Sequence, residues 1–400
     1  MTELLFTPFK LGHLTLRNRS IRSAAFEGMC PGHLVSDDLL NYHRSVAAGG
    51  IGMTTVAYAA VSQSGLSFDH QLWLRKEAVP GLKALTDAVH REGAAAAIQI
   101  GHCGQMAKTS VSRECLSPSG GFNLYGPTWP RALKNDEIRQ IVKDFRMAVR
   151  LARQGGFDAV EVHAGHGYLI SQFLSPHTNK RRDDYGGSFE NRSRFMREVI
   201  SEVMDEAAAD VAVVVKMNLR DGFKGGMEIG ESLEVARILE NMGVHALVLS
   251  GGFVSKAPMY VMRGSMPVKV MAHYMHEKWM RPGIKWFGNL LIKPEPFSEG
   301  YFLEDALVIR SALKLPLVYV GGMVSKAGIE NVLGKGFEFV QIARALIHDP
   351  EFINKIKTGE LTVSGCNHAN YCIAVMYSGK MACYQNEKER SSPWISYLEK

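Results

Sequence analysis

Residues 161–192, EVHAGHGYLISQFLSPHTNKRRDDYGGSFENR, concentrate side chains that could bind a metal or move protons. The segment holds three histidines and two tyrosines, and it begins in an apolar run that ends at His163. His163 and His166 are three residues apart, and Tyr168 follows two residues later. The pair could serve as metal ligands, as hydrogen-bond donors to a substrate, or as structural histidines that bond only to the protein.

The metal interpretation needs further ligands, because zinc takes three or four His, Cys or carboxylate groups that converge. His102 and Glu161 could join the pair. However, another apolar run ends in Lys216, and a cation beside the site opposes a bound metal. A zinc-dependent barrel hydrolase that uses His102, His163 and His166 is therefore kept as an alternative from a different enzyme class.

The donor interpretation predicts a redox reaction. Two neutral imidazole N–H groups aimed at one oxygen polarise a carbonyl or phenolate and stabilise negative charge that develops there. Tyr168 could then donate a proton to a neighbouring carbon. This chemistry is the reduction of an activated alkene, and it requires a hydride from a cofactor because no side chain supplies one.

Eight short apolar runs must position these groups, and helical patterns such as 136–154 and 189–207 alternate with them. The runs read SIRSAAF, GMTTVAY, AAAAIQI, DAVEVH, VAVVVKMN, HALVLS, LPLVYVGG and FEFVQIAR. This order predicts an α/β fold, a (β/α)₈ TIM barrel rather than an open sheet. Polar residues fall where the predicted strands end, as catalytic residues do in such barrels. They are Glu27, Tyr58, Gln99, His102, His163, His166, Tyr168, Lys216, Ser250, Gly321, Gly322 and Arg344.

Two segments exceed a minimal barrel. Residues 252–300 form a long connection between strands six and seven, and we expect an inserted loop or small subdomain there. Residues 359–400 follow the barrel, which is assigned to 1–358, and we expect this cysteine-containing tail to pack on it. Trp279 and Trp286 in the inserted segment could cap a pocket, form a subunit contact or pack in a core.

Charge and composition narrow the partners. The formal charge is +6, with lysines and arginines scattered rather than in blocks, which favours a local anion site over a nucleic-acid surface. The amino terminus has no leader pattern, and no eighteen apolar residues run together. We expect a soluble cytoplasmic protein with a small-molecule substrate and no membrane partner; the sequence leaves self-association open.

The chain has neither GxGxxG after a strand nor GxxxxGK, so the usual nucleotide cradles are absent from the sequence. Instead, Gly321, Gly322, Ala343 and Arg344 lie where barrels commonly bind phosphate. Lys216 and Gln99 would suit a flavin, since a cation favours reduced flavin and an amide matches the pyrimidine edge. A buried ion pair for Lys216 and a core amide for Gln99 are the structural alternatives.

These motifs resemble the old yellow enzyme family of FMN-dependent ene-reductases, in the branch with 2,4-dienoyl-CoA reductases and bacterial NADH:flavin oxidoreductases. The likeness runs from LFTPFKLGHLTLRNR to IARALIHDPEF and is most specific in EVHAGHGYLISQFLSPHTNKRRDDYGGSFENRSRF. It implies that His163 and His166 hold the substrate oxygen, that Tyr168 donates the proton, and that NADH or NADPH is a diffusible electron donor. It also implies FMN contacts at Ala24, Ala25, Phe26, Glu27, Tyr58, Gln99, Lys216, Gly321, Gly322, Met323, Ala343 and Arg344.

The chain also departs from this family. Lys216 stands where many relatives have Arg, which keeps the charge but changes the geometry. Phe26 occupies the position at which some relatives carry a cysteine, and in a subset of them this cysteine is bonded covalently to FMN. Because phenylalanine cannot form this bond, we expect FMN to be bound non-covalently. A dehydrogenase or demethylase that runs the flavin in the other direction, and a non-catalytic flavin-binding sensor, are the remaining alternatives.

The resemblance also bears on the tail, because dienoyl-CoA reductase-like relatives bind a [4Fe-4S] cluster through four closely spaced cysteines. This chain reads GCNHANYCIAVMYSGKMAC, with Ala369 where the second cysteine is expected. Cys366, Cys372 and Cys383 remain, and a complete [4Fe-4S] cluster normally needs four thiolates. We therefore expect no iron-sulfur cluster, and keep a metal site formed by the three cysteines with His368 as an alternative. Because the sequence ends at Lys400, we expect no FAD or NAD(P)H domain to follow.

Overall fold

The computed structural model describes residues 3–123, 128–275, 278–376 and 378–385. Eight parallel strands close into a barrel in which each strand pairs with the next and the eighth pairs with the first. The predicted (β/α)₈ barrel is therefore confirmed. The strands are β1 Ser20–Arg22, β2 Met53–Ala60, β3 Ala95–Gly101, β4 Ala159–Ala164, β5 Ala212–Asn218, β6 Ala246–Ser250, β7 Leu317–Val320 and β8 Phe339–Ile342.

The strands form here because their apolar runs are covered on both faces. Every residue of β5, AVVVKMN, is buried, as expected for a strand that lies between the barrel interior and the outer helices. The outer helices are α1 Asp37–Ala48, α2 Val79–Arg91, α3 Asn135–Gln154, α4 Phe189–Ala207, α5 Ile229–Asn241, α6 Leu303–Ala312, α7 Lys326–Gly334 and α8 Phe352–Thr358.

Local signals set the helix boundaries closely. The predicted helix 189–207 is α4 itself, which begins after Ser188 because the serine side chain accepts a hydrogen bond from the Asn191 amide. The predicted helix 136–154 is α3, which starts one residue earlier; there the Glu137 carboxylate accepts from the Lys134 amide.

A short hairpin, Phe9–Leu11 and Leu14–Leu16, closes the amino-terminal end of the barrel. Leu11 and Leu16 are buried in an apolar cluster with the first residues of several barrel strands. The opposite end, where the strands finish, is left to carry a site.

The segment 252–300 separates β6 from α6 and contains the short helices Pro258–Val261, Val268–Tyr274 and Arg281–Leu291. The tail helix Tyr371–Val375 packs against Val268–Tyr274 through buried apolar side chains. The tail also touches the barrel, since the Met381 amide donates to the Glu27 carbonyl at 2.7 Å. The tail therefore contacts both the barrel and the inserted segment.

The other short elements lie in the connections. They are the helices Thr109–Ser112, Leu169–Leu174 and Arg344–His348, the strand pair Leu116–Ser117 and Arg131–Ala132, and the 3₁₀ turns Leu4–Phe6, Pro31–His33, Gln63–Gly65, Lys76–Ala78, Gly104–Met106 and Lys278–Met280. Among the described residues no helix combines the length and the apolar character needed to span a bilayer.

Candidate active site at the carboxyl ends of the strands

An open cavity lies at the carboxyl ends of the barrel strands. It collects residues from all eight strands or the loops that follow them, as the barrel rule predicts. The sequence-predicted residues that line it are Ala24, Ala25, Phe26, Tyr58, Gln99, His163, His166, Tyr168, Lys216, Gly321, Gly322, Met323, Ala343 and Arg344.

The two histidines face the cavity side by side. The ring centroids of His163 and His166 are 5.0 Å apart, and the rings are nearly perpendicular. The Gly165 amide donates to Nδ1 of His163 at 3.4 Å, which leaves Nε2 as the nitrogen that carries the proton. His163 is thus set as a hydrogen-bond donor toward the cavity.

His166 is oriented by residues from β5 and β6. Its backbone φ is +59°, a left-handed conformation that is rare for a residue with a side chain. The Asn218 side chain stabilises it by accepting from the His166 amide at 2.9 Å. Nε2 of the His166 ring lies 2.7 Å from the Ser250 hydroxyl. When Ser250 donates this hydrogen bond, the ring proton is on Nδ1, and Nδ1–H can donate to a ligand.

Both histidines are neutral at physiological pH. Burial is the main cause and lowers the pKa of His166 to about 3, with the positive charge of Lys216 adding to the effect. Burial, then His166 and Lys216, holds the pKa of His163 well below its ordinary value. A neutral imidazole donates one hydrogen bond without presenting a charge to the substrate.

Tyr168 completes the group. Its ring lies 4.4 Å from that of His163 and 5.0 Å from that of Tyr58, measured between centroids. Tyr58 bonds instead to the Ser67 hydroxyl at 2.7 Å, and burial raises its pKa well above the ordinary value. Of the three tyrosines that line the cavity, Tyr58, Tyr168 and Tyr301, Tyr168 is the one that follows the histidine pair directly.

Glu161 organises the floor of the cavity. Its carboxylate forms an ion pair with Lys216 at 2.8 Å, and both side chains are almost fully buried. It also accepts from Gln99 Nε2 at 2.6 Å and from Gln341 Nε2 at 2.5 Å. The ion pair considered from the sequence for Lys216 is therefore present, while Lys216 and Gln99 still line the cavity.

The other end of the cavity is suited to an anion. Arg344 donates through Nη1 to the Arg263 carbonyl at 2.6 Å and to Asn370 Oδ1 at 2.9 Å, which fixes its guanidinium at the wall. The amides of Gly322 and Met323 have no acceptor within the described part of the chain. Free amide donors beside an arginine are a typical phosphate-binding arrangement.

The backbone conformation at this end of the cavity requires glycine at two positions. Gly321 and Gly322 have φ of +151° and +73°, and a Cβ on either would come within 3 Å of Tyr319 Oη or the Ser298 carbonyl. Glycine here is thus required by the turn, and close approach of a phosphate is an additional use.

Glu27 is a correction to the expected set of cavity side chains. Its carboxylate points into the barrel wall, where it pairs with Arg22 at 2.7 Å and accepts from the Ala57 amide at 3.1 Å. It does not line the cavity. A buried arginine nearby holds this carboxylate, so Glu27 supports the loop that carries Ala24, Ala25 and Phe26.

His102 is also turned away from the cavity. Its Nδ1 accepts from the Gly104 amide at 3.0 Å, and its Nε2 lies 3.1 Å from the Ser64 hydroxyl. Within the described residues, no three His, Cys, Asp or Glu side chains are arranged to hold a metal ion. The structure therefore does not assemble the ligand set of the zinc alternative.

The tail cysteines come together at a small separate cavity. Cys366, Cys372 and Cys383 line it with Ala369. Cys383 Sγ lies 3.2 Å from His348 Nδ1, and burial is the main reason that the pKa of Cys372 is raised to about 12. His368, which the sequence offered as a fourth ligand, stacks on Phe297 instead.

Ser250, which the sequence placed at the end of a strand without giving it a role, lines the cavity. Other cavity residues were missed from the sequence. Gln341 interrupts an apolar strand, and this was a signal that could have been used. Phe297, Ile373 and Met376 also line the cavity, and they come from the inserted segment and the tail. Trp279 and Trp286, in contrast, are exposed and do not cap the cavity.

The chain is similar in sequence and fold to several known proteins. Residues 4–362 match the model of the NADH:flavin oxidoreductase / NADH oxidase family. The chain is 43% identical to a 4,4'-dithiodibutanoate disulfide reductase from Rhodococcus erythropolis over 94% of each chain. It is 30% identical to an NADH oxidase from Thermoanaerobacter brockii, covering 89% of this chain and 51% of that protein. The solved old yellow enzyme homologue from Zymomonas mobilis superposes with a TM-score of 0.73 at 20% identity, covering 97% of this chain and 98% of that one.

Proposed function

The chain belongs to the NADH:flavin oxidoreductase / NADH oxidase family and is an oxidoreductase, and from this premise we propose that it is an FMN-dependent reductase of activated alkenes such as α,β-unsaturated carbonyls. NADH or NADPH is the proposed electron donor. The observation that carries the proposal is the pair of buried neutral histidines, His163 and His166, that face one cavity together with Tyr168.

The residues of the cavity fit a flavin mononucleotide held without a covalent bond. Arg344 and the free amides of Gly322 and Met323 would bind its phosphate, and Gln99 and Lys216 would meet its pyrimidine edge. When bound, FMN supplies the ability to take a hydride from a nicotinamide and pass it to a second substrate. Phe26 lines the cavity and offers no sulfur for a covalent link.

The substrate would be held by its oxygen. Nε2–H of His163 and Nδ1–H of His166 would donate to a carbonyl oxygen, and this interaction strengthens as negative charge develops on that oxygen. The phenol of Tyr168 would then give a proton to the α-carbon. Because burial lowers both histidine pKa values, these donors stay neutral and leave proton donation to Tyr168.

Anaerobic absorbance titration tests the cofactor and the reaction together. The purified protein should be yellow, should bleach when NADH or NADPH is added, and should recover its colour when a cyclic enone follows. A colourless preparation that contains stoichiometric zinc and gains nothing from added FMN would refute the flavin proposal. Bleaching without recovery on any acceptor would favour the amine or alcohol dehydrogenase alternative.

Two sets of variants test the roles of the residues. The double variant His163→Ala/His166→Ala should weaken the binding of a phenol or enone while FMN stays bound; loss of FMN would make the pair structural. Tyr168→Phe should slow enone reduction about a hundredfold or more and leave flavin reduction by the nicotinamide unchanged. Tyr58→Phe is the matched control, since it removes a neighbouring phenol that bonds to Ser67.

Reduction of an organic disulfide is the second candidate, favoured by the 43% identical relative named for that activity. The balanced reaction takes one disulfide, NAD(P)H and one proton to two thiols and NAD(P)⁺. In the same cavity, Tyr168 could donate the proton that the leaving thiolate takes up. Comparing flavin reoxidation by 4,4'-dithiodibutanoate with reoxidation by an enone, with released thiol measured in parallel, separates the two candidates.

A further inference from the structure

The helix Arg281–Leu291, RPGIKWFGNLL, has apolar residues over more than half of its circumference and Arg281, Lys285 and Asn289 on the remaining side. One face packs on the protein: Ile284 joins an apolar cluster with the tail, and Gly288 lies so close to Val268 that a Cβ would come within 2.3 Å of it. The apolar side of a surface helix is normally buried against the rest of the protein. The face that points away from the protein is therefore the unusual one.

That outer face is formed by large side chains in solvent. Trp286 is 79% exposed, Phe287 62% and Leu290 71%, and Trp279 in the preceding turn is 71% exposed. Trp286 and Leu290 are four residues apart, so they lie on one side of the helix. We call these four exposed apolar side chains the Trp286 patch.

The charge around the Trp286 patch has one sign. Residues 278–293 contain Lys278, Arg281, Lys285 and Lys293 and no Asp or Glu. The three lysines are exposed. Glu277 and Glu295 flank this stretch in the sequence and leave it net positive. The patch is thus an apolar face bordered by cations.

The positive charge of this segment distinguishes between two partners that could cover the patch, a second copy of the chain and a lipid bilayer. A symmetric contact with a second copy would bring two basic segments together, and juxtaposed like charges oppose such a contact. Aromatic and leucine side chains with bordering lysines are instead typical of helices that lie in the interface of an anionic bilayer. Such a helix lies along the bilayer surface and need not be long enough to span it. The expectation of no membrane partner rests on the lack of a long apolar run, so it does not exclude this kind of contact.

We propose that the Trp286 patch docks the protein on the surface of an anionic lipid bilayer. Trp279, Trp286, Phe287 and Leu290 would enter the interfacial region, and Lys278, Lys285 and Lys293 would meet the lipid phosphates. The inserted segment that carries the patch also supplies Val261, Met262 and Phe297 to the cavity. Docking would therefore hold the cavity-bearing end of the barrel at the bilayer.

Vesicle flotation of the full-length flavin-loaded protein tests the proposal. The protein should float with vesicles of phosphatidylcholine mixed with phosphatidylglycerol, and should float much less with phosphatidylcholine alone. Trp286→Ser/Phe287→Ser should weaken binding about tenfold or more. Trp129→Ser is the matched control, because Trp129 is 76% exposed but lies outside the patch; it should bind as the unmodified protein does.

A charge-reversal set tests the role of the lysines. Lys278→Glu/Lys285→Glu/Lys293→Glu should reduce binding to the mixed vesicles about a hundredfold or more. The control Lys76→Glu/Lys143→Glu/Lys335→Glu changes the net charge equally at exposed lysines elsewhere and should retain most of the binding. Unchanged FMN content in every variant verifies the fold.

Three results would overturn the proposal. The first is failure of the unmodified protein to float with the mixed vesicles, and the second is equal flotation of the patch variants and their controls. The third is a dimer in lipid-free light scattering that Trp286→Ser/Phe287→Ser dissociates and Trp129→Ser does not, since the patch would then be a subunit interface.

Discussion

Ser250 acts on the candidate site through another residue. Its hydroxyl lies 2.7 Å from Nε2 of His166, and this contact decides which ring nitrogen is left to face a ligand. His166 itself depends on Asn218 for its strained backbone. At the scale of single residues, the donor geometry is therefore set by side chains from β5 and β6 rather than by the histidine motif alone.

Replacing Ser250 should weaken ligand binding without loss of the cofactor. In Ser250→Ala, His166 is free to change tautomer or to rotate, and the dissociation constant for a phenol or enone should rise about three- to tenfold. Titration of the oxidised protein, followed by flavin absorbance, measures this. Ser232→Ala removes another buried hydroxyl, one bonded to the Leu219 carbonyl, and should leave the constant unchanged. An equal rise of the dissociation constant in both variants would show that Ser250 has no specific role in positioning His166.

At the scale of elements, the floor of the cavity joins four strands through one carboxylate. Glu161 on β4 bonds to Gln99 on β3, Lys216 on β5 and Gln341 on β8. A buried ion pair of this kind costs desolvation energy when it forms, and breaking it leaves an uncompensated charge. The floor is therefore sensitive to the loss of one partner and tolerant of the loss of both charges.

A double-mutant cycle tests this sensitivity. Glu161→Gln should lower the free energy of unfolding by about 3–5 kcal/mol, because Lys216 is left buried without its counter-charge. Glu161→Gln/Lys216→Met should recover much of this loss. Urea denaturation of the protein freed of flavin measures both. If the double variant is less stable than Glu161→Gln, the unpaired charge of Lys216 is not the cause of the loss in the single variant.

The tail is the second element that bears on the site. Asn370 is buried and links three segments: its Oδ1 accepts from Arg344, and its Nδ2 donates to the carbonyls of Met262 and Ser265, each at 2.7 Å. The tail helix that follows brings Ile373 and Met376 to the cavity. The tail thus helps to fix the proposed phosphate-binding arginine.

Asn370→Ala should therefore raise the dissociation constant for FMN about tenfold, since Arg344 loses an acceptor that orients it. Quenching of flavin fluorescence, on titration of the flavin-free protein with FMN, measures the constant. Asn354→Ala is the control, because Asn354 bonds to the Ala48 carbonyl away from the cavity. FMN affinity equal to that of the control would indicate that the tail does not support the phosphate end.

At the scale of the whole molecule, buried neutral histidines make the fold sensitive to acid. Burial lowers the pKa of His102 and of His166 from 6.5 to about 3. The unfolded chain takes up these protons near pH 6.5 and the folded chain does not, so the unfolded state binds more protons between the two values. Stability should fall as the pH is lowered from about 6.5 toward 3.

Each such histidine should contribute about 1.4 kcal/mol per pH unit to this slope. His102→Asn should reduce the slope by the contribution of one histidine. The variant should still fold, because the asparagine oxygen can accept a hydrogen bond from the Gly104 amide as Nδ1 of His102 does. Urea denaturation across this acidic range measures the slope for the unmodified protein and the variant. A slope that His102→Asn leaves unchanged would contradict the assignment.

The barrel and most of the cavity could be predicted from the sequence alone. The strand runs, the helix caps and the rule that active residues follow barrel strands are local, so they can be read without knowing which segments meet. His163, His166, Tyr168, Lys216 and Gln99 were found in this way, and all of them line the cavity.

The contacts between distant segments could not be predicted from the sequence and are seen in the folded chain. Glu27 follows a strand as the rule requires, yet Arg22 and the Ala57 amide turn its carboxylate into the barrel wall. Ile373 and Met376 reach the cavity because the tail packs against the inserted segment, a contact that spans about a hundred residues of sequence. Such placements depend on which partners satisfy a buried charge or an apolar face, and these partners are known only once the chain is folded.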